Sequence, residues 1–416
     1  MFKMMIPLLF LLFFILLDWY VFQALKVVSG SWNSHTVRRI NIGYWIVSIV
    51  SIGLIVYFIF FGSAARSHIM RNYLFAVVAC IFFAKFISGF FFLIDDFRRL
   101  IQYFGAFFIP ALKPQSANEG ISRSVFFSWM GFVTGGGLLG SLLYGFGNKY
   151  RYAVRNVHLS FENLPNVFKG LKIVHISDIH SGSFTDPQAV QRGVHLINQQ
   201  NADLILFTGD LVNYDASEMY PYISMFKSLS SRYGIWSTLG NHDYGFHKGG
   251  SSEDMKALHM KNALEVENIH NQLGWKLLRN ENIIIEKDNH QLAIIGVENI
   301  SARSGFPSYG NLEKAYQGID HIPFKILMSH DPSHWNAEVT KSYHDIQLTL
   351  SGHTHGMQFG FEIPGFRWSP VKYIYKQWAG LYQDKNQKLY VNRGFGFIGY
   401  PGRVGILPEI TVLELV

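Results

Sequence analysis

The stretch Lys172-Ile173-Val174-His175-Ile176-Ser177-Asp178-Ile179-His180 decides how the chain reads. Its first residues form a short, nearly continuous apolar run, as in a strand buried on both faces. His175 sits inside that run and reads as a core residue. The strand then stops at Asp178 and His180, two side chains able to bind metals or move protons. Four more runs end in the same way. Gly209-Asp210 follows Leu204–Thr208, and Gly240-Asn241-His242-Asp243 follows Ile235–Leu239. His330 follows Phe324–Ser329, and Gly352-His353-Thr354-His355 follows Ile346–Leu350. Taken singly, each cluster is a capping Asp, a turn or a surface His. Recurring after five strands, they collect where α/β sheets place ligands, at the carboxyl ends of strands. Imidazole and carboxylate oxygen without thiolate suit Mn, Fe or Zn.

The surrounding pattern fits that placement. Further strand-like runs occur at Ile283–Glu286, Leu292–Val297, Leu389–Asn392 and Ile410–Leu415. Asp186-Pro187 reads as the cap and first residue of a helix with Val190, Val194 and Ile197 on one face. Gly274 ends a second helix near 253–273. The pattern predicts an α/β layered domain over 150–416.

The N-terminal part, residues 1–149, has a different texture. The whole chain of 416 residues is 49% apolar and only 16% charged, against about 25% charged in soluble domains. Four apolar stretches, near 4–25, 40–62, 72–94 and 124–147, are long enough to cross a bilayer. The first has no small-residue cleavage site and is followed by three more, so it reads as a span rather than a signal peptide. Residues 1–150 hold twelve Lys/Arg against four Asp/Glu, a net +8, while 151–416 carry −1. The basic excess therefore flanks apolar runs, and no basic face for nucleic acid is expected on the second part. Lys85 lies in mid-span, where Asp18 is its candidate partner. Gly131, Gly135, Gly136 and Gly140 give two G-x-x-x-G spacings, read as packing within the bundle, with dimerisation as the alternative. Segment 97–109 reads as a separate interfacial piece, and 148–156 as a polar hinge. Lysines and arginines are split six to seven between the two sides, and Lys3 in a short N-terminus tips the reading toward a cytosolic catalytic domain.

The ordered set D-x-H, G-D, G-N-H-D, H and G-H-x-H resembles the calcineurin-like metallophosphoesterase superfamily. The stretches Asn392-Arg393-Gly394-Phe395-Gly396 and Pro408-Glu409-Ile410, with Arg403, resemble its membrane-associated bacterial phosphohydrolase branch. The resemblance covers about 170–416. It implies a four-helix transmembrane bundle ahead of an αββα sandwich, and a pair of divalent metal ions (Mn, Fe or Zn). Asp178, His180, Asp210 and His355 would hold one metal. Asp210, Asn241, His330 and His353 would hold the other, with Asp210 bridging. His242 would contact the phosphoryl group without binding metal, and Asp243 would orient His242 or its loop. The reaction implied is phosphoester or pyrophosphate hydrolysis by metal-activated hydroxide.

The expected partners are the bilayer of a cell (inner) membrane and a phosphorylated, lipid-linked substrate. The aromatic run from Phe359 to Trp378, broken by Pro364, Gly365 and Pro370, reads as a loop beside the metals that would suit an acyl chain or membrane interface. Competing readings are a nucleotide or nucleic-acid phosphodiesterase, and a catalytically inactive membrane scaffold. Secondary candidates are His334 behind His330, His247 at the substrate, and Arg393 and Arg403 as phosphate binders.

Overall fold

The computed structural model describes residues 2–61, 68–108, 123–245 and 252–416. The chain divides into two compact units, Met1–Tyr144 and Gly145–Val416.

The first unit contains four long helices, α1 (Phe2–Ser29), α2 (Ser34–Phe61), α3 (His68–Phe108) and α4 (Arg123–Gly145). All four are long and apolar enough to cross a membrane. Segment 97–108 is not a separate piece, because α3 runs through it as one helix of 41 residues, about 60 Å long at 1.5 Å per residue. No proline interrupts it, and its charged stretch pairs along the helix, Arg98 and Arg99 with Asp95 and Asp96. Ile109, the last residue of the expected segment, lies outside the described residues. Asp18 is fully buried. It pairs with Lys85, whose Nζ also reaches Ser48 Oγ at 2.9 Å, while Tyr44 Oη–H donates to the Asp18 carbonyl at 2.7 Å. An intramembrane lysine is thus matched by a carboxylate, which removes most of the cost of an unpaired charge there. Gly131 and Gly135 lie against Ser88, Ala84 and Phe92 of α3, where a Cβ would collide. Gly136 and Gly140 have open space around them.

The second unit is a four-layer α/β sandwich. One sheet has the order β1 (Ala153–Leu159), β14 (Glu409–Leu415), β2 (Lys172–Ile176), β3 (Leu204–Phe207), β4 (Ile235–Ser237) and β5 (Lys276–Leu277). The other has the order β12 (Gly380–Asp384), β13 (Gln387–Val391), β9 (Leu348–Ser351), β8 (Lys325–Met328), β7 (His290–Gly296) and β6 (Glu281–Lys287). Ile173, Leu204, Leu206 and Leu413 of the first sheet pack against Ile294, Ile326, Met328 and Leu350 of the second. Helices α5 (Pro187–Asn198), α6 (Ile223–Phe226) and α7 (Ser252–Leu273) cover the outer face of the first sheet through Val190, Val194, Phe226 and Val266. Helix α8 (Leu312–Tyr316) and Trp335 cover the second through Ala293, Ile295 and Leu327. The strands that lead into the site clusters are thus mostly buried, with apolar side chains packed between the layers and a few buried polar ones, such as His175 and Thr349, among them.

Asp186 caps α5 by accepting the Ala189 N–H at 3.0 Å, and Gly274 ends α7 at φ +76°. The segment 148–156 is not a hinge. Asn148 Nδ2 donates to the Arg403 carbonyl at 3.2 Å, and β1 lies parallel to β14, from Ala153 opposite Glu409 to Leu159 opposite Leu415. The aromatic run is not a featureless loop either. It contains the hairpin β10 (Phe361–Ile363) and β11 (Phe366–Trp368), with Pro364-Gly365 as its turn. The prolines and glycine that argue against a long strand are the residues a tight turn uses.

Candidate metal centre

Five loops carry the site side chains, each leaving the carboxyl end of a strand. Asp178 and His180 follow β2, Asp210 follows β3, Asn241, His242 and Asp243 follow β4, His330 follows β8, and His353 and His355 follow β9. The chain turns sharply at the ends of β2, β3 and β9. Asp178, His180, Asp210, His353 and His355 all have φ between +48° and +70°. For non-glycine residues this conformation costs about 1–3 kcal/mol each and persists where the surroundings enforce it. The neighbouring glycines make room. A Cβ at Gly352 would strike Ser177 and Asp178, and one at Gly240 would strike the Asp210 carboxylate.

The side chains converge in three overlapping groups, Asp178 with His180 and His355, His180 with Asp210 and His242, and Asp210 with His330 and His353. Within each group the donor atoms lie within 4.8 Å of one another. His355 Nε2 is 3.1 Å from Asp178 Oδ1 and 3.0 Å from His180 Nε2. Asp210 Oδ2 lies 3.6 Å from His180 Nε2 and 3.1 Å from His330 Nε2, so it belongs to both halves of the cluster. His353 Nδ1 sits 2.8 Å from Asn241 Oδ1 and 3.3 Å from His330 Nε2. The seven expected ligands thus fall into two sets that share Asp210.

The electrostatics suit cations. Burial drives the His180 imidazole well below its ordinary value, against the pull of Asp210. Burial opposes ionisation of Asp178, yet His355, His330 and His180 outweigh it and hold the carboxyl well below the usual range. Asp210, equally buried, is likewise held low by His330 and His242. His330 goes the other way, because Asp210 overcomes the effect of burial and pushes the ring up to about 10. Ionised carboxylates and imidazole nitrogens gathered out of water call for positive charge between them. This donor set of carboxylate, imidazole and amide oxygen fits a pair of borderline divalent ions.

Residues 171–357 match the family described as "Calcineurin-like phosphoesterase", and residues 3–148 match "Probable Calcineurin-like phosphoesterase, transmembrane domain". The chain carries a calcineurin-like phosphoesterase domain preceded by a phosphoesterase transmembrane domain. Among its relatives, "Transmembrane protein with metallophosphoesterase domain" of Danio rerio is 30% identical over 266 residues, which cover 63% of this chain and 57% of that protein. The chain thus spans little more than half the length of that relative. "Uncharacterized metallophosphoesterase YkuE" of Bacillus subtilis is 29% identical over 61% of this chain and 81% of its own. "Phosphodiesterase YaeI" of Escherichia coli is 28% identical over 59% and 82%.

In this chain the Asp243 side chain is engaged by backbone donors. Its carboxylate accepts the backbone N–H groups of Asp210 and Leu211 at 2.8 Å and of Gly240 at 2.9 Å. Of the two roles expected for Asp243, the geometry favours the loop. Burial and the charge of Asp210 raise its carboxyl to about 7, against the N–H groups of Gly240 and Leu211. His242 is oriented instead by Nδ1–H, which donates to the Asn213 carbonyl at 2.8 Å. Its backbone N–H donates to Asp210 Oδ1 at 2.8 Å.

The secondary candidates divide. His175 is buried with Nε2 at 2.9 Å from Thr208 Oγ1, a core residue as its strand position implies. His334 bridges Ser329 Oγ at 2.8 Å and Glu338 Oε2 at 2.9 Å. Arg393 is held by Glu409 and Glu362, and Arg403 by the carbonyls of Arg393 and His355, so both are structural in their contacts. His247 lies outside the described residues. Tyr375, expected only as part of the aromatic loop beside the metals, has its Oη 2.9 Å from His353 Nε2, and Asp331, which no motif includes, lies 3.7 Å from the same nitrogen. Neither sits at a spacing that marks it. Only the fold brings the 370–378 segment over the G-H-x-H loop.

Proposed function

We propose that this membrane protein hydrolyses a phosphodiester or pyrophosphate bond with two divalent metal ions. Asp178, His180, Asp210 and His355 would hold one ion, and Asp210, Asn241, His330 and His353 the other. Bound there, such ions supply a Lewis-acid grip on phosphoryl oxygens and lower the pKa of water toward neutrality. The observation that carries the reading is the sharing of Asp210 between the two donor sets.

The remaining residues have their own tasks. Asp243 holds the Asp210 and Asn241 loops in register through three N–H groups. With Nδ1–H fixed on Asn213, His242 presents its ring edge-on to His180, with centroids 4.9 Å apart. Proton delivery to the leaving oxygen falls to its Nε2. Diester preference draws support from the relative named a phosphodiesterase. A lipid-linked substrate is supported by four apolar helices that keep the catalytic unit with a bilayer. The net charge of −1 over residues 151–416 speaks against a polyanionic nucleic acid.

The test is turnover by the full-length, detergent-purified protein of bis(p-nitrophenyl) phosphate, p-nitrophenyl phosphate and a lipid pyrophosphate. Each is assayed with and without added Mn²⁺. Metal-dependent release from the diester or the pyrophosphate supports the proposal. Metal-independent turnover, or none on any substrate, contradicts it.

A further inference from the structure

Antiparallel hairpins on a protein surface ordinarily turn apolar residues inward and polar residues outward. The hairpin β10–β11 does the reverse. Its register pairs Phe361 with Trp368, Glu362 with Arg367, and Ile363 with Phe366. Glu362 and Arg367 face the protein. Glu362 accepts from Arg393 Nε at 3.0 Å and pairs with Arg155, while Arg367 stacks on Tyr382 at 4.9 Å. The other four side chains form the outer face. Phe361 is 47% exposed, Ile363 62% and Phe366 50%, and Phe361 stacks on both Phe366 and Trp368. The inward ion pairs fix the hairpin with this apolar face out, so the exposure is built in rather than left over. Beside it, Tyr373 and Ile374 are 74% and 48% exposed, between the exposed Lys372 and Lys376.

The root of the hairpin is tied to the first residues of the catalytic unit. Helix α4 ends at Gly145, and Gly145–Asn148 belong to the catalytic unit. The Gly145 carbonyl accepts the Arg403 N–H at 2.9 Å, and Phe146 packs on Tyr400 with ring centroids 5.4 Å apart. The next residue, Val404, pairs with Phe359 and accepts the Gly360 N–H at 2.9 Å. One short loop, 400–405, therefore joins the opening residues of the catalytic unit, which in sequence follow directly on a membrane-length helix, to the base of an outward-facing aromatic hairpin. Aromatic side chains with flanking lysines are the composition of a membrane interface, where rings lie at headgroup depth and ammonium groups meet anionic lipid.

We propose that the outer face of β10–β11, with Tyr373 and Ile374, seats in the interfacial layer of the bilayer. The partner is the lipid surface itself. The same 370–378 segment brings Tyr375 onto His353, so the seated surface borders the metal cluster. The site would then open at headgroup level.

The chain has one cysteine, Cys80, which allows a single reporter. In a Cys80→Ala background, Ile363→Cys is labelled with nitrobenzoxadiazole. His290→Cys, at the exposed start of β7, serves as the control. The full chain is reconstituted into phosphatidylcholine–phosphatidylglycerol vesicles with and without nitroxide-labelled lipid. The label at 363 is expected to emit to the blue of the label at 290 and to lose several-fold more intensity to the nitroxide. Equal, water-like emission at both positions overturns the proposal. Blue-shifted emission at 363 that nitroxide lipid leaves unchanged also overturns it, assigning the face to a protein contact or a second copy. Turnover of bis(p-nitrophenyl) phosphate by the same vesicles reports on the catalytic reading independently, since the fluorescence result does not depend on it.

Discussion

The carboxylate of Asp243 accepts the backbone N–H of Asp210 at 2.8 Å. This contact couples the loop after β4 to the loop after β3, and Leu211 and Gly240 donate to the same carboxylate. Asp243→Ala strands these N–H groups in a buried site, at about 1–3 kcal/mol for each one left unsatisfied. The variant should bind metal more weakly and melt at lower temperature, and raised Mn²⁺ should restore part of its activity. A melting temperature and metal affinity equal to wild type would remove the clamp role.

His242→Gln should separate binding from catalysis. The ring is held through Nδ1 on the Asn213 carbonyl. Both metals should remain while turnover falls by about 10²–10⁴, the usual loss for a positioned proton donor. The defect should shrink on p-nitrophenyl esters, whose leaving group needs little protonation. Loss of one metal in this variant would make His242 a ligand, as its grouping with His180 and Asp210 permits geometrically.

Tyr375→Phe removes the hydroxyl 2.9 Å from His353 Nε2 and leaves the ring. With that nitrogen no longer held by Oη, the imidazole loses part of its orientation. Metal affinity measured by competition with a chelator should fall several-fold, with melting temperature unchanged. An unchanged affinity would make Tyr375 a packing residue only.

A fragment from Gly145 to Val416 should fold, because it keeps β1 and the contacts of Gly145–Asn148 with Arg403. A fragment starting at Ser160 lacks β1, which leaves β14 as an uncovered edge strand. The longer fragment should give a dispersed, cooperative unfolding transition, and the shorter should aggregate. Equal behaviour of the two would mean that β1 adds little to the unit.

The sequence made much of this visible, for physical reasons. Strands β2, β3, β4, β8 and β9 are short, mainly apolar runs that lead into ligating side chains, so strand and site share one local signal. The Asp186 cap and the Gly274 stop are equally local. Strand β1 was hidden because it pairs in register with β14, more than 250 residues away, and no local pattern encodes that partner. The hairpin β10–β11 has strands of three residues each, too short for alternation to register, and its alternation is inverted. Helix α3 passed for two pieces because its charged residues, Asp95 to Arg99, neutralise one another along the helix. The aromatic run that contains Tyr375 was legible, but its specific contact with His353 arises from tertiary packing.

The central claim is that Asp210 is shared by two metal ions, and the direct measurement is metal content per chain in wild type and Asp210→Asn. The substitution keeps the shape of the side chain and removes the charge that offsets two cations. The account predicts two equivalents of Mn²⁺ in wild type, fewer than two in Asp210→Asn, and activity lower by orders of magnitude. Two tightly held equivalents with near-normal turnover in Asp210→Asn would contradict it.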